Sequence, residues 1–256
     1  VGLDPVDHEA LAFVDETRLK VQPTLVNVLA DPGFWLRDLP LGLDWRQTVH
    51  GEQAIIMHRP LAAQGHVRGV TRIVDLADKG EGKGALLYVE RQLYDLADDG
   101  LLATLKQTVF CRGDGGFGGA ASVRPPPDPL PARSPDAAIA CPTSPQAALI
   151  YRLSADLNPL HIDPDAARQA GFPRPILHGM ASFGVAGHGL VLHCCAGDPG
   201  LVQAMNGRFR APVYPGETLR LDIWQESAGH ARFRAVIAER DTVAIDNGVF
   251  VYGAPA

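Results

Sequence analysis

Asp156 and His161, in the stretch DLNPLHIDP (156–164), bring a carboxylate and an imidazole within five residues of each other. A carboxylate can accept a hydrogen bond from an imidazole, fix its tautomer and keep its pKa near neutrality, where protons move in either direction. Such a pair suits general acid–base work on a water molecule, and it titrates as a unit. Pro159 lacks an amide hydrogen and disfavours helical geometry at Asn158, so the pair falls on a shaped loop. The same residues equally suit a plain structural role, with Asp156 capping a turn and His161 bonded within the loop.

Gly179, in ILHGM (176–180), stands where a long apolar stretch begins. Unpaired amides and the positive dipole end of a helix starting there could hold a negative oxygen, and losing one such donor from an oxyanion site typically costs ~3 kcal/mol. A glycine that merely opens a helix in a tight space gives the same pattern. His178 reads as a structural neighbour rather than a third catalytic group. His161, Asp163 and His178 offer metal-binding chemistry without the H-x-x-x-H or H-E-x-x-H spacing, so no metal is expected. Cys194 and Cys195 have no activating pattern beside them. RGDGGFGG (112–119) lacks the Lys-Ser/Thr ending of a phosphate loop and opens no helix. Lys83, Arg208 and Arg210 read as surface charges, and His188 and His193 as fillers in the apolar stretch.

The elements that must position these residues can be read from periodicity. From about Gly179 to Cys195 large apolar residues mix with Gly184, Gly187 and Gly189, each costing a helix about 1 kcal/mol relative to Ala. A helix carrying that cost must lie very close to a sheet or a ligand. Asp163-Pro164-Asp165 predicts the capped start of a short helix that Gly171 closes. Downstream, GRFRAPVYPGETLRLDIWQES, HARFRAVIAERD and TVAIDNGVFVYG alternate apolar and polar residues as strands do. Upstream, AIIMHRPLAAQGHVRGVTRIVD, GALLYVERQLYD and GLLATLKQTVFCRG follow the same plan. Arg59-Pro60-Leu61 matches Ala211-Pro212-Val213, a weak repeat that predicts duplication of one module. The proline-rich stretch 124–136 reads as a stiff linker between residues 1–123 and 137–256. The predicted fold is α+β: a double hotdog, two repeats each with a long central helix wrapped by a curved antiparallel sheet. The N-terminal helix is expected over 23–38.

With 46% apolar and 20% charged residues the chain can bury a real core, and a net charge of −6 argues against nucleic acid as the main partner. No apolar run approaches the roughly 18 residues of a membrane span, so no membrane partner is expected. The N-terminal residues carry no secretory signature, the initiator Met is absent, and four cysteines, two of them adjacent, make a poor disulfide framework. Together these predict a reduced, cytoplasmic protein.

YRLSADLNPLHIDPDAA followed by FPRPILHGMASFG resembles the signature of the MaoC-like, R-specific type-two enoyl-CoA hydratases. VHGEQ (49–53), GKGA (82–85), RGDGGFGG and RFRAPVYPGETL match as well, so the likeness covers nearly the whole chain. The resemblance implies a double hotdog in which only the C-terminal repeat keeps the catalytic loop, while the N-terminal repeat accommodates a bulky acyl chain. It implies that Asp156 and His161 activate a water for addition to a trans-2-enoyl-CoA, that Asn158 helps order the site, and that the Gly179 amide holds the thioester oxygen. His50, Gly51, Lys83, Leu157, Pro159, Leu160 and Phe209 would line the CoA and acyl path. No cofactor is expected beyond the acyl-CoA substrate, and a homodimer is expected. One departure is Ala155, where the family usually has Gly; a positive φ there would cost Ala roughly 1 kcal/mol. Rival expectations are a hotdog thioesterase, which would release free CoA, and a non-catalytic acyl-CoA-binding module.

Overall fold

Alternation of apolar and polar residues produces nine strands in the computed structural model, which describes residues 8–121, 128–154 and 156–253. They are β1 (Thr48–Met57), β2 (Val67–Asp78), β3 (Ala85–Asp95), β4 (Leu101–Cys111), β5 (Ala137–Pro142), β6 (Val202–Phe209), β7 (Thr218–Ser227), β8 (His230–Ile237) and β9 (Thr242–Tyr252). All join one antiparallel sheet in the order β2-β3-β4-β1-β6-β9-β8-β7-β5. Outward from the central β1–β6 pair, β4-β3-β2 on one side corresponds to β9-β8-β7 on the other, the arrangement the sequence repeat predicts. Ile55 on β1 faces Met205 on β6 across that seam, and both are buried. The strand β5 is absent from the sequence expectations: AAIACP is short and small-sided, and it follows the prolines directly.

Helices are few: α1 (His8–Leu11), α2 (Trp35–Asp38), α3 (Ala147–Tyr151), α4 (Pro164–Gln169) and α5 (Gly179–Cys194), with short 3-10 turns between them. Asp163 caps α4 as expected, its carboxylate accepting from the amides of Asp165 (2.8 Å) and Ala166 (3.4 Å), and Gly171 ends the segment at φ +86°. The long helix α5 forms where predicted and is buried on nearly all sides, Phe183, Ala186 and Leu190 completely. Its glycines explain how it fits. A Cβ on Gly189 would lie 2.6 Å from Cys141 Sγ and 2.8 Å from Leu221 Cδ1, and one on Gly187 would lie 2.7 Å from Thr24 Cγ2. The helix therefore touches the sheet at backbone distance, which side chains at those positions would prevent.

The expected N-terminal partner helix over 23–38 does not form. In its place stand a 3-10 turn (Pro23–Asn27) and the one-turn α2. Pro32 has no amide to continue a helical ladder and pushes Asp31 away from helical geometry, while Gly33 takes φ +72° and donates its amide to Asp31 Oδ1 at 2.9 Å. The described residues thus contain one long helix, not two. The 3-10 turn packs against α5 instead, and Arg91 of β3 fastens it by donating to the carbonyl oxygens of Asn27 (2.5 Å) and Val26 (3.5 Å).

Part of the proline-rich stretch, residues 122–127, lies outside the described residues. The remainder, from Asp128 onward, runs along the sheet: Asp128 O accepts from Arg232 Nη2 (2.7 Å) and Asn247 Nδ2 (3.0 Å), and Arg133 O accepts from Trp224 Nε1 (2.8 Å). No helix among the described residues is long and apolar enough to cross a membrane.

Candidate active site

The loop from α3 to α4 folds around its own polar side chains. Asp156 Oδ1 accepts from the Asn158 amide (3.3 Å), Asn158 Oδ1 accepts from the Leu160 amide (3.1 Å), and Pro159 starts a 3-10 turn ending at His161. Asn158 therefore sets the bend that the sequence predicted. Ala155, the departure from the family pattern, lies outside the described residues.

His161 is buried, and its Nδ1 lies 2.8 Å from the carbonyl oxygen of Ile176. A carbonyl can only accept, so Nδ1 carries the hydrogen and Nε2 keeps a lone pair. Burial lowers the His161 pKa, the Ile176 bond and the charge of Asp156 opposing that shift in part. The ring is thus a neutral base at neutral pH. His178 lies parallel beneath it, ring centroids 3.7 Å apart at 28°. His178 Nε2 donates to the main-chain oxygen of Asp156 (3.3 Å), while its Nδ1 is buried with no partner. Burial, with smaller contributions from His161 and Arg152, pushes its pKa down to about 3. It acts as a neutral brace linking the helix start to the loop.

One donor atom from each of Asp156, His161 and His178 lies within 4.8 Å of the others, the spacing of a metal-binding group. The chemistry does not fit an ion. His161 Nδ1 and His178 Nε2 are already used, and imidazole lone pairs lie in the ring plane, so two stacked rings cannot aim them at one centre. Four free cysteines among the described residues are poor nucleophiles, since burial raises every thiol, that of Cys195 to about 12.

Asp156 and His161 open onto a cavity of about 620 Å³ that spans both halves of the sheet. Gly179, His50, Phe209, Asn158, Leu157 and Leu160 also line it. Gly179 begins a 16-residue helix, so its first amides have no intrahelical acceptor, and Gly179 and Met180 line this space. Phe209 packs edge-on against His50, centroids 5.1 Å apart at 76°. Three expected lining residues fall outside the wall. Gly51 is the unpaired residue of a bulge in β1, pressed against Thr108 O; Lys83 is exposed in the β2–β3 turn; Pro159 is exposed on the outside of its own turn. The glycine-rich 112–119 segment is likewise structural, Asp78 accepting from the amides of Gly116 and Gly118 at 2.8 Å each.

The wall also contains residues that the sequence did not single out. Tyr151 tilts against His178 at 4.7 Å, and burial raises its phenol pKa. Asn27, Gln53, Arg91 and Gln107 line the N-terminal half of the cavity. Arg210, read as a surface charge, stands exposed at the cavity wall and pairs with no carboxylate among the described residues.

Comparison with known proteins places this geometry. Residues 1–113 match the MFE-2 hydratase 2 N-terminal domain, and residues 128–247 match the MaoC like domain. The chain is 45% identical over 209 residues to 3-hydroxyacyl-thioester dehydratase Y of Mycobacterium tuberculosis, covering 80% of this chain and 72% of that one. It is 35% identical over 272 residues to the peroxisomal enoyl-CoA hydratase 2 of Arabidopsis thaliana, covering 98% and 85%. The chain belongs to the MaoC-like type-two hydratase family. A crystal structure of a MaoC-like dehydratase from Phytophthora capsici superposes with a TM-score of 0.84 at 36% identity, covering 96% of this chain and 88% of that one. The nine-stranded sheet around α5 is thus the hotdog fold of MaoC-like proteins, and Asp156 and His161 occupy its cavity.

Proposed function

We propose that the protein reversibly adds water to a trans-2-enoyl-CoA, giving a (3R)-3-hydroxyacyl-CoA. The observation that carries this reading is the convergence of Asp156 and the unprotonated Nε2 side of His161 on one cavity headed by the amides of α5. A water held between carboxylate and imidazole gives a proton to His161 Nε2 as its oxygen bonds to C3 of the alkene. The C2–C3 π electrons move toward the thioester, and the enolate oxygen takes hydrogen bonds from the Gly179 amide. C2 then takes a proton back from the Asp156–His161 pair, so one water is consumed and the pair is restored. The balance involves no electron transfer, and the thioester is the only group needed besides the protein. The R configuration rests on the family signature, and the amide-rich helix start supports the enolate step.

The strand orders on either side of the β1–β6 seam support a double hotdog whose second hotdog has a short turn in place of its long helix. The two domain matches leave residues 114–127 between them, which overlaps the start of the proposed 124–136 linker. Arg210 is suited to the CoA phosphates. A homodimer is part of the proposal; its support is the exposed Ile73, Val74 and Leu76 on the edge strand β2, and light scattering would test it. Free, buried thiols support a reduced compartment; the peroxisomal name of the Arabidopsis relative makes cell fractionation the test of a cytoplasmic location.

The deciding experiment incubates the protein with crotonyl-CoA and longer trans-2-enoyl-CoAs and follows enoyl absorbance, thiol release and product chirality together. Loss of the enoyl band without free thiol, with R product, is expected. Release of CoA from saturated acyl-CoA would instead mark a thioesterase.

A further inference from the structure

Gln53 Nε2 donates to the Ala54 carbonyl oxygen at 3.4 Å, which orients its amide and sets the direction of the hydrogen bonds along the N-terminal cavity wall. Gln107 Nε2 donates to His50 Nδ1, His50 Nε2 donates to Gln53 Oε1, and Gln53 Nε2 donates to Asn27 Oδ1, each at 3.0 Å. His50 is held neutral, with burial pushing its pKa down to about 4. The acceptor atoms of His50, Gln53 and Asn27 are thereby occupied. The row ends at Asn27 Nδ2, which is buried and has no partner, on a residue only 7% exposed. Beside it, Arg91 has its side chain 9% exposed and spends its Nη atoms on Asp31 Oδ2 (2.7 Å) and the Asn27 carbonyl (2.5 Å). Its Nε–H meets no acceptor among the described residues. All five side chains line the cavity that holds Asp156 and His161.

Donors without acceptors are costly against a hydrocarbon chain, because the ligand displaces water and returns no hydrogen bond. The same wall would gain from an oxygen placed there. Charge narrows the choice: Asp31 already balances the Arg91 guanidinium, so a carboxylate would meet a carboxylate. We infer that the acyl portion of the substrate carries a neutral oxygen acceptor, a ketone or hydroxyl, received by the Arg91 guanidinium and by Asn27 Nδ2 once a turn of that side chain opens its amide to the cavity. This deepens the hydratase reading and rests on the same cavity binding the acyl chain.

Arg91 also pins the 23–27 turn, so its removal would confuse folding with recognition. Asn27→Asp is the sharper change: it keeps the size and the acceptor for Gln53 and turns the unpartnered donor into a carboxylate oxygen, which would repel a ligand oxygen placed there. Saturated thioesters cannot be hydrated, so they read binding apart from turnover. Dissociation constants would be measured by calorimetry for octanoyl-CoA and for its 5-, 6- and 7-oxo analogues. At least one oxo analogue is expected to bind wild type at least tenfold tighter than octanoyl-CoA, and Asn27→Asp is expected to shrink that preference below threefold. Equal or tighter binding of octanoyl-CoA than of every oxo analogue overturns the inference, and this result needs no variant to fold. Full retention of the preference in a folded Asn27→Asp protein overturns it too. A wild-type protein that shows the oxo preference yet leaves crotonyl-CoA unhydrated would keep the subsite and sink the hydratase reading instead.

Discussion

His161 rests face to face on His178, and the lower ring reaches back to hold the main-chain oxygen of Asp156. One residue at the start of α5 thereby touches both members of the proposed acid–base pair. His178→Phe retains the stack and loses the bond. We expect kcat to fall about tenfold with KM nearly unchanged and the melting temperature preserved, since misplacement of a catalytic group costs rate more than affinity. A parallel rise in KM would show that His178 serves substrate binding instead.

Asp156→Asn and His161→Ala should each reduce hydration by about 10²- to 10⁴-fold. Because the proposed mechanism has the two side chains handle one water, the double variant should be little worse than either single one. Steady-state rates on crotonyl-CoA, with circular dichroism to establish folding, check this; near-full activity in either single variant removes that residue from the mechanism.

Burial keeps His161 below the ordinary imidazole value, so its neutral, proton-accepting form persists into mildly acidic solution. The acid limb of kcat/KM should therefore have its midpoint below 6.5, the value of a free histidine. A midpoint above 6.5 in the rate profile contradicts the buried, neutral base.

The same burial makes stability depend on pH. His50 and His178 have folded pKa values of about 4 and about 3 against 6.5 for a free imidazole. Between those values the unfolded chain binds more protons than the native one, so stability is full above pH 6.5 and declines as pH falls toward the folded values. At about 1.4 kcal/mol per pKa unit, the loss by pH 4 amounts to about 3 kcal/mol for each histidine. Urea denaturation at pH 7 and pH 4.5 should show it, and His50→Gln should flatten the slope.

Gly189 and Gly184 lie in one helix and should respond oppositely to alanine. At Gly189 the new methyl would meet Cys141 Sγ at 2.6 Å, and overpacking costs about 1–3 kcal/mol, more than the roughly 1 kcal/mol of helix propensity gained. At Gly184 the nearest atom is Thr24 Oγ1 at 3.8 Å, so the propensity gain stands. Chemical denaturation of both variants gives the two signs directly.

Strong local patterns made much of this molecule readable beforehand. Eight strands alternate clearly, and Gly179–Cys194 is too apolar to lie anywhere but inside. Asp156, Asn158 and His161 share one short loop, so their meeting needs no knowledge of the fold. In the region 23–38 Pro23, Pro32 and Gly33 already weigh against the helix its apolar residues suggest, and the turn that forms instead is stabilised by Arg91, far away in the sequence. The donor row was hidden for the same reason: Asn27, His50, Gln53, Arg91 and Gln107 come from one turn and three strands, and only sheet register brings them together.

The seam between β1 and β6 is main-chain to main-chain, from Glu52 opposite Arg208 to Ile56 opposite Ala204. Two separate modules meeting along such a seam would have to be twins, each bearing the same loop and the same pocket floor. Fusing them into one polypeptide fixes their partnership and ends that obligation to be alike. One side is then free to carry the proposed proton-transfer pair, and the other to shape the wall that meets the cargo.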